Sequence, residues 1–490
     1  MNKLGNNLKI TVFSLIGLAV LGSTIAVLKL TAPKEEAPEE PDVPAVSDET
    51  VFTRLTADDV ISVSVKNQKD EYTVSADANG GFIVNELNDL GLNIPLNGSL
   101  LTNLASNVAE LSSKLTVEEN AGDLDKYGLL SPSAQVRAQF ADGTSIAFCV
   151  GIEAPAPMTV YFRLEGENKV YTVSSYKLNP FLNDKYYWIE KRLTEEYDPQ
   201  TAPIISRVTI NRADLDEPML IEALPEVPLE ETRTFNTHKL VSPVSVELDQ
   251  EKARFVVYGM YGLTALEAVS VGFSESFYET VGLDEPFCEV QVRSGGKLFE
   301  LKIGLPAVEK SEDGVDTLKG WFGICSEVPD VLYLFEPSAL PWVYAVPEDL
   351  MAEMFLTPYI YSLDRLIIET ESARLEFTIT GDANGGDILL NGEKLTDDRR
   401  LKDLYQYLVG AKGEWIFMEE SKSEFIARIV YKYKDSGFPD DTVEYYTADD
   451  RKSVVRLNGE NIFKCRDLYT TRLVDNIDAF LSGGDIIQNW

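Results

Sequence analysis

Histidine is almost absent from this sequence, in which His238 is the only one among 490 residues. It lies in a polar segment without a second histidine or a serine or cysteine nucleophile motif, so we expect a surface residue and not a catalytic base. Cysteine is scarce too, and the CxxC pairs of zinc and redox sites are missing. We expect small buried hydrophobic residues, and the sequence leaves a disulfide open. The four cysteines are Cys149, Cys288, Cys325 and Cys465.

Positively charged residues are also scarce. The chain has 44 lysines and arginines against 80 aspartates and glutamates, a net charge of −36 at pH 7. Such a surface repels the phosphates of nucleic acids, which excludes nucleic acid as an expected partner. Anionic lipid headgroups are repelled as well. Contact with a membrane therefore requires an apolar anchor and not a basic patch.

Familiar catalytic motifs are also missing. The chain has no GxSxG, HExxH, P-loop or dinucleotide-binding glycine pattern, so we expect no enzymatic activity and no cofactor. With 80 acidic residues, some carboxylates lie together in any fold, and a hydrolase that uses paired carboxylates remains an alternative. Asp-Ala-Asn-Gly-Gly segments at Asp77 and Asp382 lack the remaining ligands of a calcium loop. We interpret them as hairpin turns and expect no metal site.

One uncharged apolar run, residues 10–28, lies between Lys9 and Lys29. A helix of this length spans roughly 28 Å, close to the hydrocarbon thickness of a bilayer. Residues 1–31 are thus predicted to be a single transmembrane anchor in the cell membrane, with the N-terminus inside and the rest outside. A cleaved signal peptide is the alternative. Residues 32–55, rich in proline and glutamate, predict an extended linker.

The stretch from Leu124 to Gly151 organises the rest of the chain. It predicts an elbow at Tyr127-Gly128-Leu129, a stop at Pro132 and a hairpin of strands Ala134–Phe140 and Ser145–Val150. A similar pattern occurs at Tyr278–Gly304. We interpret the elbow as a helix stop with an aromatic plug on the core, and a partner-binding feature is the alternative.

Repetition extends over the whole chain and predicts an α+β fold of three modules, 56–198, 199–358 and 359–490. Each has an antiparallel β-meander, a packed helix and a second meander. A shift of 154 residues carries Tyr127 onto Val281, and one of 300 carries Leu101 onto Leu401. The third module is degenerate and has Glu419–Glu424 where the elbow is expected.

Local patterns add further predictions. The first helix is predicted from Leu100, Leu104, Val108 and Leu111 with an Asn97 or Ser99 cap, and the second around Phe255, Tyr258, Gly262 and Ala265. Residues Glu309–Lys319 predict a polar loop. Two aromatic segments, Tyr186–Trp188 and Trp342–Tyr344, are expected to pack between modules, and an exposed aromatic binding surface is the alternative.

The Leu124–Gly151 stretch and its continuation resemble the bacterial domain-of-unknown-function 4340 family, over roughly Asp59 to Leu193. That family shows a Leu-x-x-Tyr-Gly-Leu-x-x-Pro segment, a strand, an Asp-Gly-Thr turn, a strand that ends in glycine, and a Tyr-x-Arg strand. The residues here that match it are Leu124, Tyr127, Gly128, Leu129, Pro132, Asp142, Gly143, Thr144, Gly151, Tyr161 and Arg163.

The resemblance implies an envelope protein with one N-terminal membrane helix. Some members are similar to auxiliary components of gliding-motility-type ABC transport systems, and the family has no assigned catalytic residues. We therefore expect a membrane-anchored extracytoplasmic binding or scaffold protein with a protein partner in the envelope, such as an ABC-type transporter. The alternatives are the carboxylate-based hydrolase and a passive surface spacer.

Overall fold

The computed structural model describes residues 49–225, 236–310, 314–354, 356–382, 385–414, 423–434, 439–449 and 451–489. Of these described residues 42% are in strands and 22% in helices, and all their strand pairs are antiparallel. A mixed α and β fold with several antiparallel sheets is therefore established.

The first sheet unit contains ten strands and three helices. Strand β7 shows why it forms, because its buried Ala134, Val136, Ala138 and Phe140 alternate with exposed polar residues. The strand order is β4-β3-β2-β7-β8-β9-β10-β6, and β1 pairs with β5. The strands are β1 (Thr50–Val51), β2 (Val60–Asn67), β3 (Glu71–Ala76), β4 (Phe82–Val84), β5 (Ser112–Ser113), β6 (Leu115–Glu118), β7 (Ala134–Phe140), β8 (Ser145–Glu153), β9 (Thr159–Leu164) and β10 (Val170–Ser174). The helices are α1 (Asn85–Asn88), α2 (Gly98–Ala109) and α3 (Ser175–Leu178).

Helix α2 covers one face of this sheet. It begins after Asn97, whose side chain accepts a hydrogen bond from the Leu100 amide and satisfies a free N–H group of the first turn. Leu101, Leu104 and Val108 are fully buried on its inner face, whereas Leu100 is half-buried at the edge. The predicted helix and its Asn97 cap are confirmed, but Leu111 lies beyond its last residue, Ala109.

The second sheet unit has nine strands in the order β14-β13-β12-β11-β16-β17-β18-β19-β15. They are β11 (Ile205–Arg212), β12 (Met219–Ala223), β13 (His238–Ser242), β14 (Val246–Glu247), β15 (Glu267–Val271), β16 (Cys288–Ser294), β17 (Lys297–Lys310), β18 (Asp316–Cys325) and β19 (Val331–Phe335). The helices are α4 (Gln250–Tyr258), α5 (Glu275–Val281) and α6 (Pro347–Leu350).

Two predictions about this unit are wrong. Helix α4 ends at Tyr258, so Gly262 and Ala265 lie outside it, and Phe255 is 71% exposed and does not face the core. The predicted loop Glu309–Lys319 is mostly strand, because β17 and β18 remain paired as far as Lys310 and Asp316. Its polar composition reflects a hairpin that extends beyond the packed sheet.

The third sheet unit has eight strands in the order β23-β22-β21-β20-β24-β25-β26-β27. Helix α7 buries Leu401, Leu404 and Leu408, as the shift of 300 residues predicts, and helix α8 was not predicted. The strands are β20 (Leu363–Thr370), β21 (Arg374–Ile379), β22 (Ile388–Leu390), β23 (Glu393–Lys394), β24 (Phe425–Tyr433), β25 (Asp441–Thr447), β26 (Lys452–Leu457) and β27 (Glu460–Arg466). The helices are α7 (Arg399–Val409) and α8 (Asp467–Ser482).

The units are joined through the backbone. At the first joint the Leu193 amide donates to the Leu263 carbonyl at 2.8 Å, and the Gly262 amide donates to the Glu195 carbonyl at 2.7 Å. At the second joint the Ala352 amide donates to the Glu247 carbonyl and the Gly413 amide to the Glu353 carbonyl. One continuous hydrophobic core runs through all three units. The linkers are thus parts of the packed structure.

Among the described residues, no helix is long and apolar enough to cross a membrane. The predicted anchor, residues 10–28, lies outside those residues, as does most of the linker 32–55. Residues 419–422 of the Glu419–Glu424 segment and the centre of the turn that begins at Asp382 lie outside them too.

His238 is buried, so the prediction of a surface residue is wrong. The imidazole is 4% exposed on β13, and its Nε2 donates to the Ile205 carbonyl oxygen at 2.8 Å. The Thr237 hydroxyl contacts Nδ1 at 2.9 Å, an arrangement that suits a neutral ring. Burial lowers the pKa of this histidine below its ordinary value. It is therefore a hydrogen-bonded core residue.

The cysteines are all free and buried, as predicted.

Of the two aromatic segments, only the first packs between units as predicted. Residues Lys185–Trp188 form a 3-10 helix that lies against β15 of the second unit, as predicted. Trp342 instead packs inside its own unit, where its indole N–H donates to the Val256 carbonyl at 2.8 Å. The expectation of packing between modules is wrong for that segment.

Candidate functional site

The elbow is a tight turn fixed by a left-handed glycine. Residues Asp125–Tyr127 form a 3-10 helix that ends at Gly128, where φ is +63°. The Leu129 amide then donates back to the Leu124 carbonyl at 3.0 Å. Non-glycine residues adopt this conformation rarely, and a Cβ on Gly128 would also collide with Ile152. Gly128 is therefore required by the geometry of the turn.

A second glycine brings the elbow onto the sheet. Gly151 lies in β8 directly beneath the Tyr127 carbonyl, which a Cβ at this position would overlap. The Tyr127 ring packs at 4.7 Å on Tyr161 of β9, and its hydroxyl donates to Glu118 at 2.6 Å. That hydrogen bond is the main cause of the lowered pKa of the Glu118 carboxyl. The elbow thus closes a small second core around Leu129.

The second unit repeats this construction with different side chains. Gly282 ends helix α5 with φ of +67°, and a Cβ on Gly304 would overlap the Val281 carbonyl. Val281 and Leu283 are buried with Leu332 in a similar small core. Because Val281 replaces the tyrosine, the hydroxyl is dispensable for this packing. The elbow works as a clasp between the turn and the sheet.

The other motif residues are placed elsewhere. Asp142 accepts hydrogen bonds from the Thr144 amide at 2.8 Å and hydroxyl at 2.6 Å, which shapes the turn that Gly143 completes with φ of +85°. This turn lies at the opposite end of β8 from Gly151. Arg163 donates to the Glu167 carbonyl at 3.2 Å, and Leu124 packs on the elbow core. Pro132 lies between the elbow and β7. The motif residues do not converge on one reactive centre.

A large open cleft lies instead in the second unit, with a volume of about 1130 Å³. It runs between helix α4, the segment 336–344 and the linker at Tyr197. Tyr197 stands between two other tyrosines, with ring centroids 4.8 Å from Tyr258 and 5.4 Å from Tyr261. Phe255 and Tyr344 at its border are 71% and 51% exposed. We call this feature the aromatic cleft.

Charged groups border the aromatic cleft unevenly. Glu196 and Glu336 line it together with one basic residue, Arg254, among the residues that the structure describes. A Cβ on Gly262, where φ is +68°, would lie 2.7 Å from the Glu196 carboxylate. Glycine at this position therefore lets the carboxylate approach the floor of the cleft. Partial burial, as the main cause, raises the pKa of Tyr258, so its phenol remains a neutral hydrogen-bonding group.

Two other clefts each lie between a helix and the chain segment that follows the sheet of the same unit. One, of about 630 Å³, is lined by amide and aromatic side chains such as Asn103, Tyr176 and Asn183. The other, of about 810 Å³, lies between the second and third units, where Glu353 pairs with Lys412 at 3.0 Å and with Lys252 at 3.6 Å. Those charges are already matched. The aromatic cleft exposes the larger apolar surface and is the candidate functional site.

The sequence did not predict this cleft because the residues that line it lie far apart along the chain. Tyr258 is predicted only as part of a helix, whereas its ring is half-buried against Tyr197 of the linker. The aromatic segment Trp342–Tyr344 was the available signal, since Tyr344 lines the cleft and is 51% exposed.

A family model described as "Domain of unknown function (DUF4340)" matches residues 90–286. This region begins before α2, includes the Tyr127 elbow and its hairpin, and continues through α4 and α5 to just before β16. It starts later than the stretch from Asp59 to Leu193 that the sequence suggested, and it extends further. This part of the chain is thus similar to that family. Neither the curated proteins nor the solved structures gave a significant match.

Proposed function

We propose that this chain is a membrane-anchored extracytoplasmic binding or scaffold protein without catalytic activity. Residues 10–28 are its anchor in the cell membrane, residues 32–55 its linker, and the sheet units lie outside. The apolar run between Lys9 and Lys29 supports the anchor. The resemblance to envelope proteins supports the location.

We further propose that the three sheet units are copies of one module. Each has a first meander of three strands, to which a two-residue fourth strand is added in the second and third units, then a helix and a four-strand second meander. In each unit the first strand of the first meander pairs with the first strand of the second meander: β2 with β7, β11 with β16 and β20 with β24. The elbow and its underlying glycine recur in the first two units. Joined by packed linkers, such modules give a scaffold of fixed shape.

The aromatic cleft is the observation that carries a binding function. Exposed aromatic rings at a concave surface are typical of protein interaction sites. A passive spacer needs no such surface. The resemblance points to a subunit of an ABC-type transport assembly as the partner.

Photo-crosslinking in cells tests this proposal. A crosslinking amino acid replaces Phe255 at the border of the cleft, and in a matched strain it replaces Ile61, which is 49% exposed on the first sheet. We expect a discrete crosslinked product in the membrane fraction from position 255 and none from position 61.

Three results would contradict the proposal. A protein recovered outside the membrane fraction would remove the anchor. An absence of crosslinks at position 255 would favour the spacer. Hydrolysis of an envelope glycan or peptide that depends on Glu196 and Glu336 would favour the carboxylate-based hydrolase.

A further inference from the structure

We infer that the aromatic cleft recognises a basic segment of a protein partner, in which an arginine or lysine side chain packs on the tyrosines that line it. This inference rests on the proposed binding function and deepens it by naming the chemistry of the partner. The argument depends on three features: the aromatic rings, the carboxylates at the border and the charge of the whole chain.

The rings form a packed cluster. Tyr197 contacts both other rings, with centroids 4.8 Å from Tyr258 and 5.4 Å from Tyr261 and tilts of 53° and 57°, so a cation would lie on the outer faces of the cluster. A cation over the face of an aromatic ring is attracted by its quadrupole. Because all three tyrosines are half-buried, their open faces are accessible to a partner without unfolding.

The carboxylates provide the opposite charge. Glu196 makes one exposed ion pair with Arg192 at 3.2 Å, with side chains 69% and 57% exposed. Such a surface pair is weak, so a partner cation can replace Arg192 at little cost. Glu336, which Ser338 contacts at 3.5 Å, adds a second negative group to the border.

The neighbouring surface indicates that the cation belongs to a polypeptide. Phe255, Pro337 and Pro341 extend the cleft beyond the space that one cationic group fills, and they offer contacts to apolar residues next to it. The net charge of −36 steers basic partners towards the molecule over long distances. Arg254 acts in the other direction and disfavours a cation at its end of the cleft.

Binding to two capped peptides tests the inference with the full chain in detergent micelles. One peptide carries two arginines on either side of a leucine, and the other has glutamates in place of the arginines. We expect saturable binding of the arginine peptide, weakened at least about fivefold in a Glu196→Gln/Glu336→Gln variant and in a Tyr197→Leu variant. Arg254→Glu should tighten binding severalfold.

The control variant is Tyr176→Ala, which removes an aromatic side chain that is 65% exposed in the first unit. It should leave the affinity unchanged. Equal binding by all variants, or stronger binding of the glutamate peptide, would overturn the inference. If crosslinking at position 255 succeeds while the arginine peptide fails to bind, the binding function stands and the cationic chemistry falls. If the peptide binds but no membrane crosslink forms, the proposed membrane assembly falls instead.

Discussion

Replacing Gly151 by alanine tests the clasp between the elbow and the sheet. The new methyl group would overlap the Tyr127 carbonyl oxygen and would lie 3.1 Å from the Tyr161 Cβ and 3.2 Å from a methyl group of Leu129. The carbonyl cannot retreat easily, because the turn that carries it is fixed by the hydrogen bond from the Gly128 amide to the Asp125 carbonyl, 2.8 Å long.

The expected cost follows from that crowding. Inserting a methyl group where backbone must move costs about 1–3 kcal/mol of unfolding free energy. The lower conformational entropy of the unfolded alanine chain offsets about 0.4–1 kcal/mol of this. We therefore expect a net loss of roughly 1–2 kcal/mol, concentrated in the first unit.

Hydrogen exchange measured by mass spectrometry suits this test because it resolves the units separately. In Gly151→Ala, residues 121–132 and 151–164 should exchange faster, whereas residues 451–466 of the third unit should not change. Gly122→Ala is the matched control, since a Cβ there meets no atom within 4 Å. Its stability should stay within about 0.5 kcal/mol of the parent chain. Unchanged exchange in Gly151→Ala would refute the requirement for close approach.

Three further predictions follow from buried polar groups. His238, the only histidine, should titrate in NMR with a pKa below 6.5. Because the unfolded chain then binds a proton at a higher pH than the folded chain, the contribution of His238 to stability should be complete above about pH 6.5 and be lost as the pH falls towards the folded-state pKa. A pKa at or above 6.5 would contradict this prediction. Burial raises the pKa of the Cys288 thiol to about 12, and all four cysteines are buried. Thiol reagents at pH 8 should therefore label no cysteine in the native chain and all four in urea. Rapid labelling of the native chain would instead show that the thiols are accessible. Arg212→Ala should lower the free energy of unfolding by more than about 2 kcal/mol, because Nη1 donates to the carbonyls of Trp342, Val343 and Ala345 at 2.8–3.0 Å. The control Arg207→Ala, on the exposed face of the same strand, should be nearly neutral in denaturant unfolding. Similar losses in the two variants would count against a structural role of the Arg212 hydrogen bonds.

The elements that sequence reasoning identified are those with one buried face. Strand β7 shows strict alternation, and α2 shows apolar residues three and four apart after an asparagine cap. In both, local chemistry and burial lead to the same result. The same spacing was available for α8, where Tyr469, Leu473, Ile477 and Phe480 are buried. That helix was predictable and was overlooked.

The failures involve residues whose surroundings come from distant parts of the chain. His238 lies in a polar local sequence, yet the Ile205 carbonyl that it contacts belongs to another strand. Phe255 and Tyr258 have helical spacing, but Phe255 is exposed and Tyr258 packs on Tyr197 of the linker as well as on His238 of the sheet. Sequence periodicity shows that a face is apolar and does not show what covers it. For this reason periodicity alone did not locate the candidate site.

The packed joints have a mechanical consequence. When domains are joined by flexible linkers, a pulling force first straightens the linkers. Here residues 191–195 are hydrogen-bonded along residues 262–265 and cannot extend without breaking those bonds. The three units would therefore move together as a stiff lever. A displacement imposed at the aromatic cleft would therefore reach the far side of the first unit undiminished.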